Sequence, residues 1–334
     1  ASSNSSWAAP PPLPHCALVQ GSFSCPGSAL SSAQRAAWLA MMSVAMASAV
    51  LGNLLVVASV LHFRRLQTRT NAFTASLAVV DLLVGLLVMP FKMTRSAYGC
   101  WFYGTAFCAA HTCLDIALCT ASILHLAQRV TARHVAAMVA LSWCCGAVIS
   151  VVTVSLGWNV VGVPDEVVAA SCADSCDFLL GAPYAVGSSV CSFFGPAAFV
   201  VVAYARILRE ARRQGRAIAC EQWRHQRQQE KQQQQNEVGR AADAKSERNA
   251  TKMLSIVVGI FLASWLPFFL MNVSDPLLGY SIDPRAWEAV TWLGYANSAA
   301  NPVIYGIFSP NFRAAFRVIA ARSAFRAGSR DVQL

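Results

Sequence analysis

Long apolar stretches alternate with shorter polar segments along most of the chain. Seven of these stretches have about 20 residues or more, the length at which an α-helix crosses a bilayer. The pattern therefore predicts an all-α membrane protein, a bundle of seven transmembrane helices. The stretches lie near residues 36–61, 72–94, 106–127, 135–157, 182–205, 253–273 and 287–308.

The polar segments set the organisation around this domain. Residues 1–34 are rich in Ser, Pro and Ala and predict a disordered tail. This tail shows no signal-peptide pattern, so we expect the first span to direct its own insertion into the membrane. The seven-helix domain takes 35–308 and includes a long loop at 206–252. Residues 309–334 predict a short amphipathic eighth helix and a tail, since apolar and basic residues alternate at helical spacing in 311–317.

Composition and charge support this interpretation. The chain is 56% hydrophobic and 13% charged, with a mean hydropathy of +0.46, which excludes an ordinary soluble domain. Of its 26 Lys and Arg residues, 22 lie in 62–71, 128–134, 206–252 and 309–334. By the positive-inside rule these segments are cytoplasmic and the amino terminus is outside. Because the basic residues border the membrane, we expect anionic lipid and a cytoplasmic protein as their partners rather than nucleic acid.

A carboxylate, Asp115, lies in the middle of the third stretch. A charge at that depth is costly, so it faces a cavity and a cationic partner. The fifth stretch carries Ser188, Ser189 and Ser192, of which the first and last share a helical face. Together these residues predict a pocket for a protonated amine joined to a polar ring. The alternative is that the serines bond back to carbonyl groups of their own helix.

A second acid, Asp81, lies near the middle of the second stretch, and neutral polar residues recur at similar depth in other stretches. A carboxylate among neutral oxygens suits a sodium ion or a water cluster, and a packing network without an ion is the alternative. The neutral residues are Asn53, Ser122, Asn297, Ser298 and Asn301.

Prolines and cysteines add structural constraints. Prolines inside the fifth, sixth and seventh stretches predict kinks that can act as hinges.

A disulfide from Cys108 to Cys172 or Cys176 would hold a long outer loop over the third span, and the sequence does not choose between the two. Asn4 begins an Asn-Ser-Ser glycosylation sequon in the predicted outer tail.

Several motifs resemble the rhodopsin-like G-protein-coupled receptors. They are Gly52-Asn53, Leu77-Ala78-Val79-Val80-Asp81, Trp143, Pro196, Phe261-x-x-x-Trp265-x-Pro267 and Asn301-Pro302-Val303-Ile304-Tyr305. The likeness covers about residues 36–318, and with Asp115 the chain is similar to the biogenic-amine branch. Residues 118–124, 156–159 and 292–299 resemble a histamine type-2 receptor, whereas the fifth-span serines, residues 89–92 and Asn272 resemble dopamine type-1-like and β-adrenergic receptors.

The resemblance implies a role for each site residue. Asp115 would bind the ligand ammonium, beside Ile116 and Cys119, and the three serines would bind ring hydroxyls. The ligand would be enclosed by Trp265, Phe268, Phe269, Asn272, Trp292 and Tyr295. An activation switch would comprise Phe261, Pro267, Pro302, Tyr305, Tyr204 and Glu247. Movement there would open the inner face of the receptor to a heterotrimeric G protein of the type that stimulates cyclic-AMP production. The resemblance also implies a plasma-membrane receptor that can pair as a dimer.

The chain departs from the family where the third span ends. The family's Asp-Arg-Tyr motif is missing, and Trp143 follows Asp115 by only 28 positions, so the second inner loop is effectively absent. Arg133 lies at the register of the family's arginine, but it would leave no chain to turn into the fourth span, so we interpret that likeness as coincidental. The usual arginine partner of Glu247 is therefore missing.

Three interpretations of this gap stay open: a sequence that lacks a segment, a natural variant that binds amine but couples poorly, and a working receptor with an unusual inner face. An amine transporter is a remote alternative, disfavoured because the spans show no internal repeat. We expect no enzyme, since the chain has neither a nucleophile–base set nor metal-ligand spacing.

Overall fold

The computed structural model describes residues 18–19, 22–23, 30–99, 101–128, 135–165, 167, 176, 179–199, 201–202, 205–206, 209, 213 and 234–330. Two short strands, β1 (Leu18–Val19) and β2 (Ser22–Phe23), pair antiparallel. The helices are α1 Ser32–His62, α2 Arg69–Leu83, α3 Met89–Tyr98, α4 Thr105–Gln128, α5 Val135–Leu156, α6 Ala182–Ser189, α7 Gln234–Leu277, α8 Pro284–Phe308 and α9 Pro310–Arg330. The prediction of a disordered tail at 1–34 concerns mostly residues outside this description.

Four of the described helical segments are long and apolar enough to cross a membrane. They are Ser32–His62, Asn71–Tyr98, Thr105–Leu124 and Ser255–Leu277, which correspond to the first, second, third and sixth predicted spans. Helices α5, α6 and α8 lie at the positions of the fourth span, the start of the fifth and the seventh. The helical segments thus follow the hydropathy pattern along the described part of the chain.

Wide helical turns precede prolines in the second and fifth spans. The N–H of Met89 donates to the carbonyl of Val84, and the N–H of Gly195 donates to the carbonyl of Val190, five residues back instead of four. The next residue is a proline in both cases. A proline ring would clash with the carbonyl four residues before it, and a wide turn moves that carbonyl aside. The helical path therefore continues through both prolines.

The third and fourth spans approach each other closely at Gly146. A Cβ atom on this residue would lie 2.4 Å from the carbonyl oxygen of Ala117. Helices α4 and α5 have 24 and 22 residues, and at about 1.5 Å per residue both can cross about 30 Å of hydrocarbon. Only positions 129–134 lie between them. The connection is therefore as short as the sequence spacing predicts.

Helix α9 follows the seventh span and packs against its end. Phe312 and Ala315 are buried, whereas Arg313 and Arg317 are exposed. The ring of Phe312 stacks on that of Tyr305 at a centroid distance of 5.4 Å. The apolar side of α9 thus packs against the bundle, and the exposed Arg313 and Arg317 can meet a membrane surface.

Candidate functional site

Asp115 is held by donors from two helices. The hydroxyl of Tyr295 in α8 donates to its Oδ2 at 2.6 Å, and the thiol of Cys119, one turn along α4, lies 3.4 Å from its Oδ1. Its side chain is 17% exposed. Each carboxylate oxygen keeps a further lone pair, so the group can still accept from a ligand. Ile116, the next residue in α4, is half-buried.

Lys92 in α3 also reaches this carboxylate. Its Nζ lies 3.8 Å from Oδ2 of Asp115. Sequence reasoning did not include Lys92 in the site, although a signal was present. Lys92 lies within the second predicted span, and a charged side chain inside a span needs a partner because an unpaired charge is costly in lipid.

A second group of polar contacts joins α3 to α8 beside this ion pair. The indole N–H of Trp292 donates to the hydroxyl of Ser96 at 2.9 Å, and that hydroxyl donates to Glu288. Arg95 Nη1 lies 3.8 Å from Oε1 of Glu288. Trp292 was predicted as a site residue, whereas Ser96, Arg95 and Glu288 were not. Their positions near the end of a predicted span gave no signal that distinguished them from surface charges.

Aromatic rings of the sixth span pack against Tyr295, the donor to Asp115, and form an aromatic floor. Trp265 lies edge-on to Tyr295 and Phe268, with centroid distances of 6.4 and 5.6 Å, and is tilted by 47° against Phe269 at 6.1 Å. A Cβ atom on Gly294 would lie 2.9 Å from the Trp265 ring, so the glycine makes room for this indole. The structure thus brings together the sixth- and seventh-span aromatic residues that the resemblance assigns to the ligand.

The same aromatic floor extends into the fifth span. Phe269 stacks on Phe193 at 4.4 Å, and Phe193 lies 6.2 Å from Phe261. Phe269 and Phe261 were predicted from the sequence, and Phe193 was not. Phe193 therefore links the fifth span to α7 on both sides of Pro267, because Phe261 precedes this proline and Phe269 follows it.

The three serines of the fifth span differ in their contacts. The hydroxyl of Ser188 donates to the carbonyl of Ala185 at 3.4 Å, and that of Ser192 donates to the carbonyl of Ser188 at 2.6 Å. Both therefore bond back to their own helix, the alternative noted above, although their oxygens can still accept. Ser189 is fully buried and accepts from the amide of Asn272 at 3.0 Å. The structure thus brings Ser189 and Asn272 together, and the serines' role toward a ligand stays a prediction.

Asp81 is the centre of a separate buried polar cluster. Its two oxygens accept from the Ser298 hydroxyl and from the Asn301 amide, both at 2.8 Å. The neutral residues predicted at this depth are all buried. Ser122, Asn297 and Asn301 lie around a narrow gap in the packing together with Leu77, Val257 and Phe261.

The cluster has more acceptors than donors. The amide oxygens of Asn53, Asn297 and Asn301 are buried without a hydrogen-bond partner. Together with the Asp81 carboxylate they form a set of oxygen atoms that calls for a cation or for water. The residues present therefore fit a sodium ion at Asp81.

Asn53 supports the kink of the seventh span. Pro302 has no N–H, so the carbonyl of Ser298, four residues before it, lacks its usual helical donor. The amide of Asn53 donates to that carbonyl at 2.9 Å. A Cβ atom on Gly52 would lie 2.8 Å from the Pro302 ring, so the glycine allows the close approach. The adjacent motif residues Gly52 and Asn53 thus serve one contact between α1 and α8.

A disulfide joins Cys108 at the start of α4 to Cys176. This resolves the choice left open by the sequence, and Cys172 lies outside the described residues. Near this end of the bundle, the Tyr280 hydroxyl donates to the Leu180 carbonyl at 3.0 Å. Burial, with the negative charge of Asp275 adding, raises the pKa of Tyr280, so it remains a neutral donor. These links tie Cys176 to the start of α4 and Leu180 to the segment that follows α7.

Some predicted residues are not placed. Asn4 and Tyr204 lie outside the described residues, and Glu247 is described only as backbone of α7. The predictions for glycosylation and for these two switch residues therefore stay predictions.

Comparison with known proteins identifies the fold family. The model of the family "7 transmembrane receptor (rhodopsin family)" matches residues 52–128 and 124–305. The match is in two segments, and they meet where the sequence lacks the Asp-Arg-Tyr motif. Together they cover most of the chain, which confirms the predicted all-α bundle of seven membrane helices.

Curated relatives match along nearly their whole length. Trace amine-associated receptor 365 of Petromyzon marinus is 36% identical over 336 residues, covering 96% of this chain and 89% of the relative. Trace amine-associated receptor 13c of Danio rerio is 37% identical, with 91% of each chain covered. Trace amine-associated receptor 4 of Rattus norvegicus is 35% identical, covering 92% of this chain and 91% of the relative. The finer likeness to histamine, dopamine and β-adrenergic receptors stays a prediction. The chain belongs to the rhodopsin family of seven-transmembrane receptors, which are multi-pass plasma-membrane proteins and not enzymes.

Proposed function

We propose that this protein is a receptor whose ligand places a protonated amine on Asp115. The observation that carries the proposal is the position of this carboxylate. It is partly accessible and is oriented by Tyr295 and Cys119, and the ring of Tyr295 packs edge-on against Trp265. A partly shielded carboxylate with free lone pairs near aromatic rings suits an ammonium ion, which can gain an ion pair and cation–π attraction. The printed names of the relatives, trace amine-associated receptors, support an amine.

The aromatic floor and the fifth span set the shape of such a ligand. Trp265, Phe268 and Phe269 would contact an aromatic ring, and the oxygens of Ser188 and Ser192 would accept from ring hydroxyls. Histamine, dopamine and related catecholamines therefore stay in the candidate set beside trace amines such as tyramine.

We further propose that the occupied receptor signals through a stimulatory G protein. Trp265 lies two residues before Pro267, so a ligand that contacts the indole can bias the sixth-span kink. The change is a shift in population between two packings, driven by the ligand's higher affinity for one of them. The orientation follows from the basic segments: we place the amino terminus outside and the carboxyl terminus in the cytoplasm.

A second candidate function is an amine-binding receptor that couples poorly. It is favoured by the short link at 129–134 and by the division of the family match at the same place. Without the second inner loop, little surface between the third and fourth spans would remain for a G protein. Pairing with a further receptor and binding of inner-leaflet lipid stay predictions.

Binding and cyclic-AMP measurements on cells that express the full chain separate these functions. The panel comprises dopamine, histamine, adrenaline, serotonin, octopamine, tyramine and 2-phenylethylamine. We expect saturable binding of at least one amine with a rise in cyclic AMP. Binding without a rise would favour the second candidate, and grafting the corresponding link of the Petromyzon marinus relative should then restore the response. A receptor at the cell surface that binds none of these amines, and no amino acid that carries the same ammonium group, would contradict the proposal.

The acceptor-rich cluster around Asp81 supports a bound sodium ion as an allosteric partner. Asp81 and the unpartnered amide oxygens of Asn297 and Asn301 would hold the ion. We expect agonist affinity to change several-fold when sodium chloride is replaced by potassium chloride at constant ionic strength.

The substitution Asp81→Ala should remove this sodium dependence, because it deletes the only charged oxygen donor among the residues assigned to the ion. Asp165→Asn, which removes one exposed carboxylate, should retain the dependence. Ligand affinity in the two salts is the readout. An unchanged sodium effect in Asp81→Ala would show that the ion binds elsewhere.

A further inference from the structure

Lys92 occupies the position beside Asp115 that a ligand ammonium would take. The charged atoms lie 3.8 Å apart, and the two side chains are 20% and 17% exposed. A simple amine that binds Asp115 must displace the Lys92 ammonium or lie next to it. Two positive charges this close repel in a pocket that is largely shielded from water. The ion pair therefore disfavours a ligand whose only charge is positive.

The second ion pair reinforces this effect. Arg95 and Glu288 lie 3.8 Å apart, and Arg95 follows Lys92 by three positions, on the same side of α3. The two cations balance the two carboxylates. This wall of the pocket therefore has no excess of negative charge with which to attract a simple cation.

We propose that the ligand is a zwitterion, an α-amino acid whose ammonium binds Asp115 and whose carboxylate binds Lys92. Both charged groups of an α-amino acid are attached to one carbon, so they can reach two side chains whose charged atoms lie 3.8 Å apart. The protein ion pair is then exchanged for two protein–ligand ion pairs, and every charge keeps a partner. An aromatic side chain would contact the rings of Trp265 and Phe268. The proposal rests on the proposed function, since it uses the same ammonium site.

The surrounding contacts allow this exchange. Tyr295 and Cys119 keep the Asp115 carboxylate oriented when Lys92 moves, because they bond to its two different oxygens. Lys92 has three donors on a flexible chain, so it can follow a ligand carboxylate while remaining near Asp115. Its partial exposure gives the ligand carboxylate access to it.

The test uses compounds that differ only in the carboxylate. Washed membranes from cells that express the full chain are assayed for binding of radiolabelled 2-phenylethylamine and L-phenylalanine. Tyramine and L-tyrosine form a second pair, and the amide of each amino acid is added as a competitor. We expect the amino acid to bind about 10-fold more tightly than the amine, and the amide, which keeps the ammonium but not the carboxylate, to behave like the amine.

Variants of Lys92 provide the decisive comparison. Lys92→Met keeps the length of the side chain without its charge, so it should weaken amino-acid binding about 10-fold, strengthen amine binding and invert the preference. Lys92→Arg should retain the preference for the amino acid. Arg285→Met removes an exposed cation of α8 and should leave the preference unchanged.

The outcomes distinguish failure of this proposal from failure of the proposed function. Amine binding without amino-acid binding, or equal changes of both affinities in Lys92→Met, would overturn the zwitterion alone. No binding of any of these compounds to a receptor at the cell surface would overturn both. If Lys92→Met does not reach the surface, the comparison of amino acid, amine and amide on the unaltered chain decides.

Discussion

Replacing Asp115 with Asn is expected to lower the affinity for an ammonium ligand about 100-fold or more. The substitution keeps the shape of the side chain but removes its charge, and losing one partner of a shielded ion pair costs about 2–5 kcal/mol. The loss is enlarged because Lys92 would remain 3.8 Å from the altered group as an unpaired cation. Saturation binding with the tightest-binding compound of the panels measures the change.

A matched control is needed because any Asp→Asn change also reduces the long-range attraction of cations. Asp165→Asn makes the same change of charge at an exposed position between the fourth and fifth spans, and this variant should bind the ligand with unaltered affinity. Surface labelling of both variants separates lost affinity from lost folding. Unaltered ligand affinity in Asp115→Asn, at normal surface expression, would refute the role of this carboxylate.

Replacing Gly146 with Ala is expected to destabilise the receptor by about 1–3 kcal/mol, the usual cost of overpacking a close contact. The added methyl carbon would lie 2.4 Å from the Ala117 carbonyl oxygen, a backbone atom that cannot rotate away. The third and fourth spans would have to separate, and the short link at 129–134 limits how far they can move. The thermal unfolding midpoint of the detergent-solubilised receptor should fall.

Two other glycines provide controls for this prediction. Gly187 in α6 and Gly259 in α7 have no neighbouring atom within 4 Å of an added Cβ atom. Alanine there should be neutral or raise stability by about 0.5–1 kcal/mol, since glycine weakens a helix interior. A midpoint for Gly146→Ala equal to those of the controls would show that the two spans do not approach as closely as described.

The local chemistry of each span could be predicted from the sequence. Asp115 and Asp81 were recognised because lipid makes a charged residue costly wherever it lies in an apolar stretch, whatever its neighbours are. The prolines marked kinks for an equally local reason, since a missing N–H removes a bond within the same helix. The family resemblance came from short motifs that also lie within single spans.

Contacts between spans could not be predicted in the same way. In a membrane both the inner and the outward faces of a helix can be apolar, so hydropathy does not show how the helix is rotated. The contribution of Ser189 rather than Ser188 to the contact with Asn272 depends on that rotation, which the wide turn at Val190–Phe194 changes. The choice of Cys176 depends on the path of a loop, for which periodicity gives no information.

The sequence by itself determined that the protein crosses the membrane seven times and carries a carboxylate in the middle of the third span, because lipid constrains every buried charge and backbone group locally. Only the tertiary structure decided what that carboxylate faces. Lys92 lies 23 positions before Asp115 in another helix, and their 3.8 Å separation depends on the relative depth and rotation of two spans. The ion pair from which we propose a zwitterionic ligand is therefore a property of the assembled bundle.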